Sequence, residues 1–209
     1  MAAASEIIEL ARDVLSPNQF EEATKLASIN WRNKQERNLV IHRLSELVKP
    51  PPKRPLYYAK HEIWRLPSDT RDCIRYLGDY IDLLMKEMAF EFWGKGRRSS
   101  LTTNAKRLES TPQFRGLSSK LQRYCSLLYT PGKHDFTLPT GRLHRFNAAE
   151  VVLTTFITMQ LAVEIRSVSK YAEDAARGET LYSIGGECGS PERVKYSGRL
   201  IHSNDPNFR

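Results

Sequence analysis

The stretch NAAEVVLTTFITMQLAVEI, residues 147–165, decides the fold class of this chain. Its apolar residues cover almost the whole circumference of a helix, and such a helix is stable in water only when other helices surround it. Asn147 supplies a side-chain oxygen that can cap the first turn. The sequence therefore predicts an all-α helical bundle built around one central apolar helix that starts at residue 148.

Two further amphipathic helices are predicted to pack against this central helix. After a capping residue, Ser68 or Asp69, apolar residues recur every three or four positions over residues 74–92, which indicates one long helix. The same spacing over residues 117–128 indicates a second helix, which Pro131-Gly132 is predicted to end. The long helix is predicted to carry an acidic solvent side formed by Asp72, Asp79, Asp82 and Glu87.

The proline-rich sequence KPPPKRP, residues 49–55, indicates a boundary, because consecutive prolines favour an extended conformation and withhold N–H donors. A stiff loop within one domain is an equally good interpretation. We expect a small basic helical subdomain at 1–49, a proline-rich linker and connector at 50–67, a main helical bundle at 68–178 and an irregular tail at 179–209. The tail has no helical period, and a small hairpin around Ser197-Gly198 is one option for it.

The cysteines and the N-terminus favour a cytoplasmic location. Cys73, Cys125 and Cys188 are odd in number and far apart, which fits a reducing compartment better than a disulfide framework. The first residues, MAAASEIIELARDVL, lack the basic and apolar regions of a secretory signal. No membrane span is expected either, because the apolar stretch contains Glu150 and Glu164, which are costly in lipid.

Positive charge is concentrated in two segments of the chain. The formal net charge is +8, yet residues 31–60 contain eight Lys and Arg against two Glu, and residues 93–123 contain eight against one. Clustered charge produces a focused field that attracts polyanions, and nucleic acid is the natural candidate. The alternative is that these residues only solvate helix faces in a basic protein.

The sequence lacks the motifs that are typical of metal sites and of serine hydrolases. The five histidines form no HExxH pattern and the cysteines form no closely spaced pair, so no metal site and no cofactor are expected. A GxSxG nucleophile elbow is also missing.

The connector TPGKHDFTLPTGRLHRF, residues 130–146, is the best candidate for chemistry. Cleavage at a ribose 2′-hydroxyl needs a base, a cation for the phosphorane charge and a donor for the leaving oxygen, and His plus Arg can supply all three without a metal. Asp135 can hold His134 in one tautomer. The alternative is a solvated crossing in which these side chains only bond loop carbonyls or face water.

The order of elements resembles the HEPN superfamily of small helical nucleases and RNA-binding modules. Two long helices, 69–93 and 114–129, are followed by the polar connector and then by the apolar helix from Asn147. In that family an Arg and a His four to six residues apart follow the second long helix, a polar residue often follows the Arg, and the sites usually meet across a homodimer. The resemblance therefore implies RNA as the partner, and a homodimer or a protein partner.

The family motif does not occur literally in the connector, where Arg142 precedes His144 by only two residues. The literal string is RNLVIH, with Arg37, Asn38 and His42, ahead of the proline-rich segment. Five residues of a continuous helix turn Arg37 and His42 about 140° apart, so they do not converge on one phosphate. We interpret that string as a chance match.

The candidate site residues follow from the connector, the basic loop before it and the resemblance. His134 or His144 would be the acid or base, and Arg142 or Arg145 would stabilise phosphate charge. Lys95, Arg97 and Arg98 would hold the nucleic-acid backbone, with Lys133 and Arg145 as further binding residues.

Three functions stay open at this point. The leading one is RNA binding by a HEPN-like domain, with or without metal-independent endoribonuclease activity. The second is a non-enzymatic helical subunit or partner-binding protein of a nucleoprotein or toxin-antitoxin-type assembly. The third is a protein-interaction module with no affinity for RNA.

Overall fold

The computed structural model describes residues 2–48, 54–94, 98–134 and 145–176 of the chain. Within these residues every regular element is helical, which confirms the predicted all-α class. The α-helices are α1 (Ala2–Val14), α2 (Pro17–Ala27), α3 (Lys34–Leu47), α4 (Arg54–Trp64), α5 (Thr70–Trp93), α6 (Leu101–Arg107), α7 (Arg115–Tyr124), α8 (Thr130–Lys133) and α9 (Ala148–Ala176). Short 3-10 turns at Leu108–Ser110 and Pro112–Phe114 precede α7, and a π-helical turn, Cys125–Tyr129, separates α7 from α8.

Helix α9 lies at the centre of the bundle, as predicted. Helices α1, α2, α3, α5 and α7 all contact it, and its buried residues face all sides. The segment Ala148–Val168 is long and apolar enough to cross a membrane, with a mean hydropathy of 1.5, but 72% of its apolar stretch is buried inside the fold. That degree of burial is typical of the core helix of a bundle.

The start of α9 confirms the predicted cap. The Asn147 side chain accepts a hydrogen bond from the backbone N–H of Glu150 (2.9 Å), and the Glu150 carboxylate accepts one from the backbone N–H of Asn147 (2.7 Å). This reciprocal pair is a capping box, which satisfies two N–H donors that the first helical turn leaves unpaired.

Helix α5 is the long helix predicted from the apolar spacing, but its predicted cap is wrong. Asp69 occupies the N-cap position without a side-chain cap hydrogen bond. Its carboxylate instead pairs with Arg65 at 2.9 Å, because that guanidinium lies one turn earlier. The other end follows the prediction, since Gly94 adopts a left-handed conformation (φ 65°) that favours glycine.

Helix α4 lies inside the segment that was expected to be a linker and connector, residues 50–67. Leu56, Ala59 and Ile63 are buried on one side of this helix, and α4 packs along α5. The positions of these three residues fit a helical period, so burial of that face stabilises a helix directly after the prolines. No helix is predicted for this segment from its sequence, and the structure adds α4 over Arg54–Trp64.

Pro131-Gly132 does not end the second amphipathic helix, contrary to the prediction. The chain widens into the π-helical turn at Cys125–Tyr129 and then continues through α8 to Lys133. Proline has no N–H, and in a regular α-helix its ring meets the carbonyl one turn earlier. The carbonyl that this ring would meet belongs to Leu127, which lies within the π-helical turn and not in a regular α-helix.

The acidic residues of α5 do not all face solvent. The Asp82 side chain is 13% exposed, and Asp79 accepts a hydrogen bond from the Tyr129 hydroxyl at 3.1 Å. The π-helical turn and α8 cover this part of α5. The predicted acidic solvent side is therefore wrong at Asp79 and Asp82.

The N-terminal helices share a hydrophobic core with the main bundle. Leu10 of α1 and Leu44 of α3 are fully buried in the cluster that also contains residues of α5 and α9. The division into a small basic helical subdomain at 1–49 and a main helical bundle at 68–178 stays a prediction. The tail at 179–209, with the hairpin considered for it, lies outside the described residues.

Candidate nucleic-acid interface

A cleft of about 370 Å³ lies where the middle of α5 meets the start of α6, the π-helical turn and α8. Most of the residues around it are charged or carry hydroxyl groups. It is lined by Asp82, Lys86, Arg98, Ser99, Ser100, Leu101, Thr102, Cys125, Tyr129, Thr130, Lys133 and His134. We call this feature the cationic cleft, because its lining contains three basic side chains, Lys86, Arg98 and Lys133, in addition to His134, and one carboxylate, Asp82.

Three of the predicted site residues meet in the cationic cleft. Arg98 belongs to the loop between α5 and α6, whereas Lys133 and His134 come from the end of α8. All three side chains are exposed. The backbone N–H of His134 donates to the Thr130 carbonyl at 3.0 Å, which fixes the residue at the helix end.

Lys133 is held in place by a chain of hydrogen bonds that reaches into the fold. Its Nζ donates to the Tyr129 hydroxyl at 2.9 Å and lies 5.0 Å from the centre of the Tyr129 ring. That hydroxyl in turn donates to Asp79 at 3.1 Å. Burial, reinforced by the charges of Asp82 and Asp79, raises the pKa of Tyr129. The phenol therefore stays protonated and its O–H can donate to Asp79.

Lys86 contributes a further cation that the sequence reasoning missed. It forms an ion pair with Asp82 one turn earlier on α5 (2.7 Å), and both line the cleft. The other carboxylate oxygen of Asp82, Oδ1, is buried and has no hydrogen-bond partner among the described residues. Asp82 and Lys86 are four residues apart, a spacing that predicts an ion pair on one face of a helix. Their position beneath α8 could not be predicted from the sequence.

Hydroxyl groups complete the lining of the cleft. Within the lining, Thr102 Oγ1 and Cys125 Sγ lie 2.9 Å apart. Ser100 caps α6 by accepting from the Thr103 N–H at 3.2 Å. Hydroxyls beside cations are the usual side-chain partners of phosphate oxygens, so an anionic ligand of this class fits the lining.

The remaining predicted site residues are not brought to the cleft by the described part of the structure. Arg145 is exposed just before α9 and does not line the cleft. Lys95, Arg97, Arg142, His144 and Asp135 lie outside the described residues. In the RNLVIH string, His42 is exposed and lies 3.8 Å from Glu46, with which it can pair when protonated.

Several cations of the two basic segments are neutralised within the fold. Arg43 of α3 pairs with Glu22 at 2.6 Å, and that hydrogen bond raises the pKa of Arg43. Lys120 pairs with Glu164 at 3.0 Å, and Arg123 pairs with Asp13. The first pair joins α3 to α2, and the other two join α7 to α9 and to α1. Part of the basic charge is therefore used in contacts between helices.

Among the described residues, no three His, Cys, Asp or Glu side chains lie close enough together to hold a metal ion. No family model matches the chain, and neither the curated proteins nor the solved structures contain a significant match to it. The functional assignment therefore depends on the geometry of the cleft.

Proposed function

We propose that this protein binds RNA and holds backbone phosphates in the cationic cleft. The observation that supports the proposal is the presence of Arg98 together with Lys133 and His134 in one cleft. When exposed Lys and Arg side chains bind phosphates, the cations condensed on the nucleic acid are released, and this release drives association. RNA is the nucleic acid proposed because an imidazole beside a bound phosphate can exchange protons with a ribose 2′-hydroxyl.

The proposal includes a HEPN-like domain in a cytoplasmic protein. Metal-independent cleavage would use His134 as acid or base, with Arg142 and His144 as the partners expected from the sequence. The buried free thiols of Cys73 and Cys125 fit a reducing compartment. A homodimer belongs to the same proposal, because the HEPN resemblance implies sites that usually meet across a dimer interface.

The binding test is an anisotropy titration of labelled RNA over a salt series. The double variant Arg98→Ala/Lys133→Ala should weaken binding and lower the magnitude of the slope of log affinity against log salt by about 1.4, because each lost phosphate contact contributes about 0.7 for single strands. The charge-matched control is Lys25→Ala/Arg32→Ala, whose exposed side chains do not line the cleft. The control should retain the slope of the wild type.

Equal affinity and slope for the cleft variant and the wild type would place RNA binding elsewhere. Absence of wild-type binding at moderate salt would refute the proposal itself. Cleavage is measured in the same reactions with chelator present, and His134→Ala should abolish product formation while retaining most of the binding. A wild type that binds without forming product would restrict the function to RNA binding.

A further inference from the structure

Helix α4 displays aromatic rings on its solvent side. Tyr57 is 67% exposed and Trp64 is 57% exposed, and the side chain of His61 between them is 63% exposed. Positions i, i+4 and i+7 lie on one face of a helix, so the three rings form a row about 10 Å long. We call Tyr57, His61 and Trp64 the aromatic row. Large exposed rings grouped on a surface are typical of a binding site. An exposed ring does not contribute the stability that burying it in the fold would give.

A layer of stacked side chains supports one edge of the aromatic row. Tyr58 of α4 stacks on Tyr76 of α5 with ring centres 5.2 Å apart, and Tyr57 meets Tyr58 edge to face at 5.8 Å. The guanidinium group of Arg54 lies over the Tyr58 ring at 5.8 Å, and that of Arg75 lies over the Tyr76 ring at 4.6 Å. These contacts hold the Tyr58 ring in place, and Tyr57 packs its ring against that fixed neighbour.

The charges around the aromatic row favour an anionic partner. Glu62 lies 3.3 Å from His61 of the aromatic row through one carboxylate oxygen and 3.3 Å from Arg65 through the other. Asp69 pairs with Arg65 at 2.9 Å, and Asp72 pairs with Arg75 at 3.3 Å, so each of these carboxylates already faces a basic side chain. Arg54 and Lys60, in contrast, form no ion pair within the described part of the chain. Neither charge is neutralised by a carboxylate of the described residues, and Arg54 also lies over the Tyr58 ring.

The aromatic row is connected to the cationic cleft through the start of α5. Arg71 donates from Nε to the carbonyl of Gly132 at 3.3 Å. Gly132 packs so closely on α5 that a Cβ added to it would lie 3.3 Å from the backbone nitrogen of Arg75. Gly132 therefore contacts α5 at Arg75, whose guanidinium lies over Tyr76 of the stacked layer, and Lys133 of the cleft is the next residue in the chain.

We infer that the aromatic row stacks unpaired bases of single-stranded RNA whose phosphates are held at the cationic cleft. The inference rests on the proposed function and adds the class of RNA. Every base has a π face, and Tyr, Trp and His rings flanked by cations bind single strands with little sequence preference. A second copy of this chain is a poorer occupant, because a twofold interface would place this face, with Arg54 and Lys60, against an identical face of the same positive charge.

The test compares a single-stranded oligouridine with a double-stranded RNA of equal length. The variant Tyr57→Leu/Trp64→Leu keeps apolar side chains at exposed positions, and the control Leu39→Ala changes a residue of α3 that is 71% exposed. The Kd for the single strand should rise at least about fivefold for each ring lost, with little change for the duplex. Oligouridine should also quench the tryptophan fluorescence of the wild type, and Trp64→Leu should remove most of that quenching.

Unchanged single-strand affinity in the double variant, with intact wild-type binding, would overturn this inference and leave the proposed function standing. Equal losses on single strand and duplex would also overturn it. A wild type that sediments as a dimer and becomes monomeric in the variant would identify a protein interface instead. A wild type that binds neither RNA would remove the proposed function, and the inference with it.

Discussion

At the residue scale, Gly78 sets the position of the Tyr129 ring. A Cβ at Gly78 would overlap the ring edge and lie 3.1 Å from Tyr129 Cγ. The ring cannot simply move away, because its hydroxyl binds both Asp79 and Lys133. We therefore expect Gly78→Ala to lower the free energy of unfolding by about 1–3 kcal/mol, which is typical of overpacking, as measured by urea denaturation.

Gly116 provides the matched control for this substitution. It also lies in a helix, α7, and an added Cβ would meet nothing within 4 Å. Replacing a helical glycine by alanine without a clash removes backbone freedom from the unfolded chain, so Gly116→Ala should stabilise the protein by up to about 1 kcal/mol. Equal effects of the two substitutions would contradict the close contact at Tyr129.

Single residues of the candidate site were predictable only where charge was visible in the sequence. Arg98, Lys133 and His134 were identified because they lie in basic or polar segments between apolar helices. Tyr129 and Asp82 were not, since their part in the cleft arises from the packing of the π-helical turn on α5. The helical period alone places Asp79 and Asp82 on the solvent side of α5. In the fold, other elements pack over that side and cover them.

At the element scale, the capping box of α9 should contribute measurably to stability. Asn147→Ala removes the acceptor for the Glu150 N–H, and loss of an N-cap side chain typically costs about 1 kcal/mol. Because α9 contacts most other helices, the loss should appear in the midpoint of global unfolding rather than as local fraying.

Asn147→Ser is the control for the α9 cap, because serine retains an oxygen acceptor at the same position. It should recover most of the stability that Asn147→Ala loses in the same denaturation experiment. If serine and alanine destabilise equally, the side-chain cap contributes nothing and Asn147 acts through packing.

The helices themselves were predictable to different degrees. The apolar spacing identified α5 and α9 because both follow a helical period over many turns. Helix α4 was missed although Leu56, Ala59 and Ile63 follow the same period, because the prolines before it indicated an extended linker. The continuation through Pro131 was not predictable, since it depends on the π-helical turn and on the close contact between Gly132 and α5.

At the scale of the whole molecule, buried phenol groups make stability fall in alkali. Tyr124 is fully buried, and its hydroxyl lies 2.8 Å from that of Thr158. Burial raises the pKa of Tyr124 above its ordinary value of 10.0. Above that pH the unfolded chain releases the phenolic proton while the folded protein keeps it, so unfolding is favoured by about 1.4 kcal/mol per pH unit.

Tyr124→Phe tests this pH dependence. Removing the hydroxyl should lower stability at neutral pH by about 1 kcal/mol, because the hydrogen bond with Thr158 is lost. Above pH 10 the free energy of unfolding should decline less steeply in the variant than in the wild type. Parallel curves over the whole alkaline range would show that Tyr124 titrates alike in both states.

The chain of hydrogen bonds from Asp79 through Tyr129 to Lys133 has a consequence for recognition. A lysine side chain on a surface normally samples many rotamers, and fixing it on a ligand costs conformational entropy. Here the ammonium group is already tethered to the phenol, and the phenol to a carboxylate beneath it. Much of that ordering is completed during folding, so an anion that reaches Lys133 meets a charge whose direction is already set.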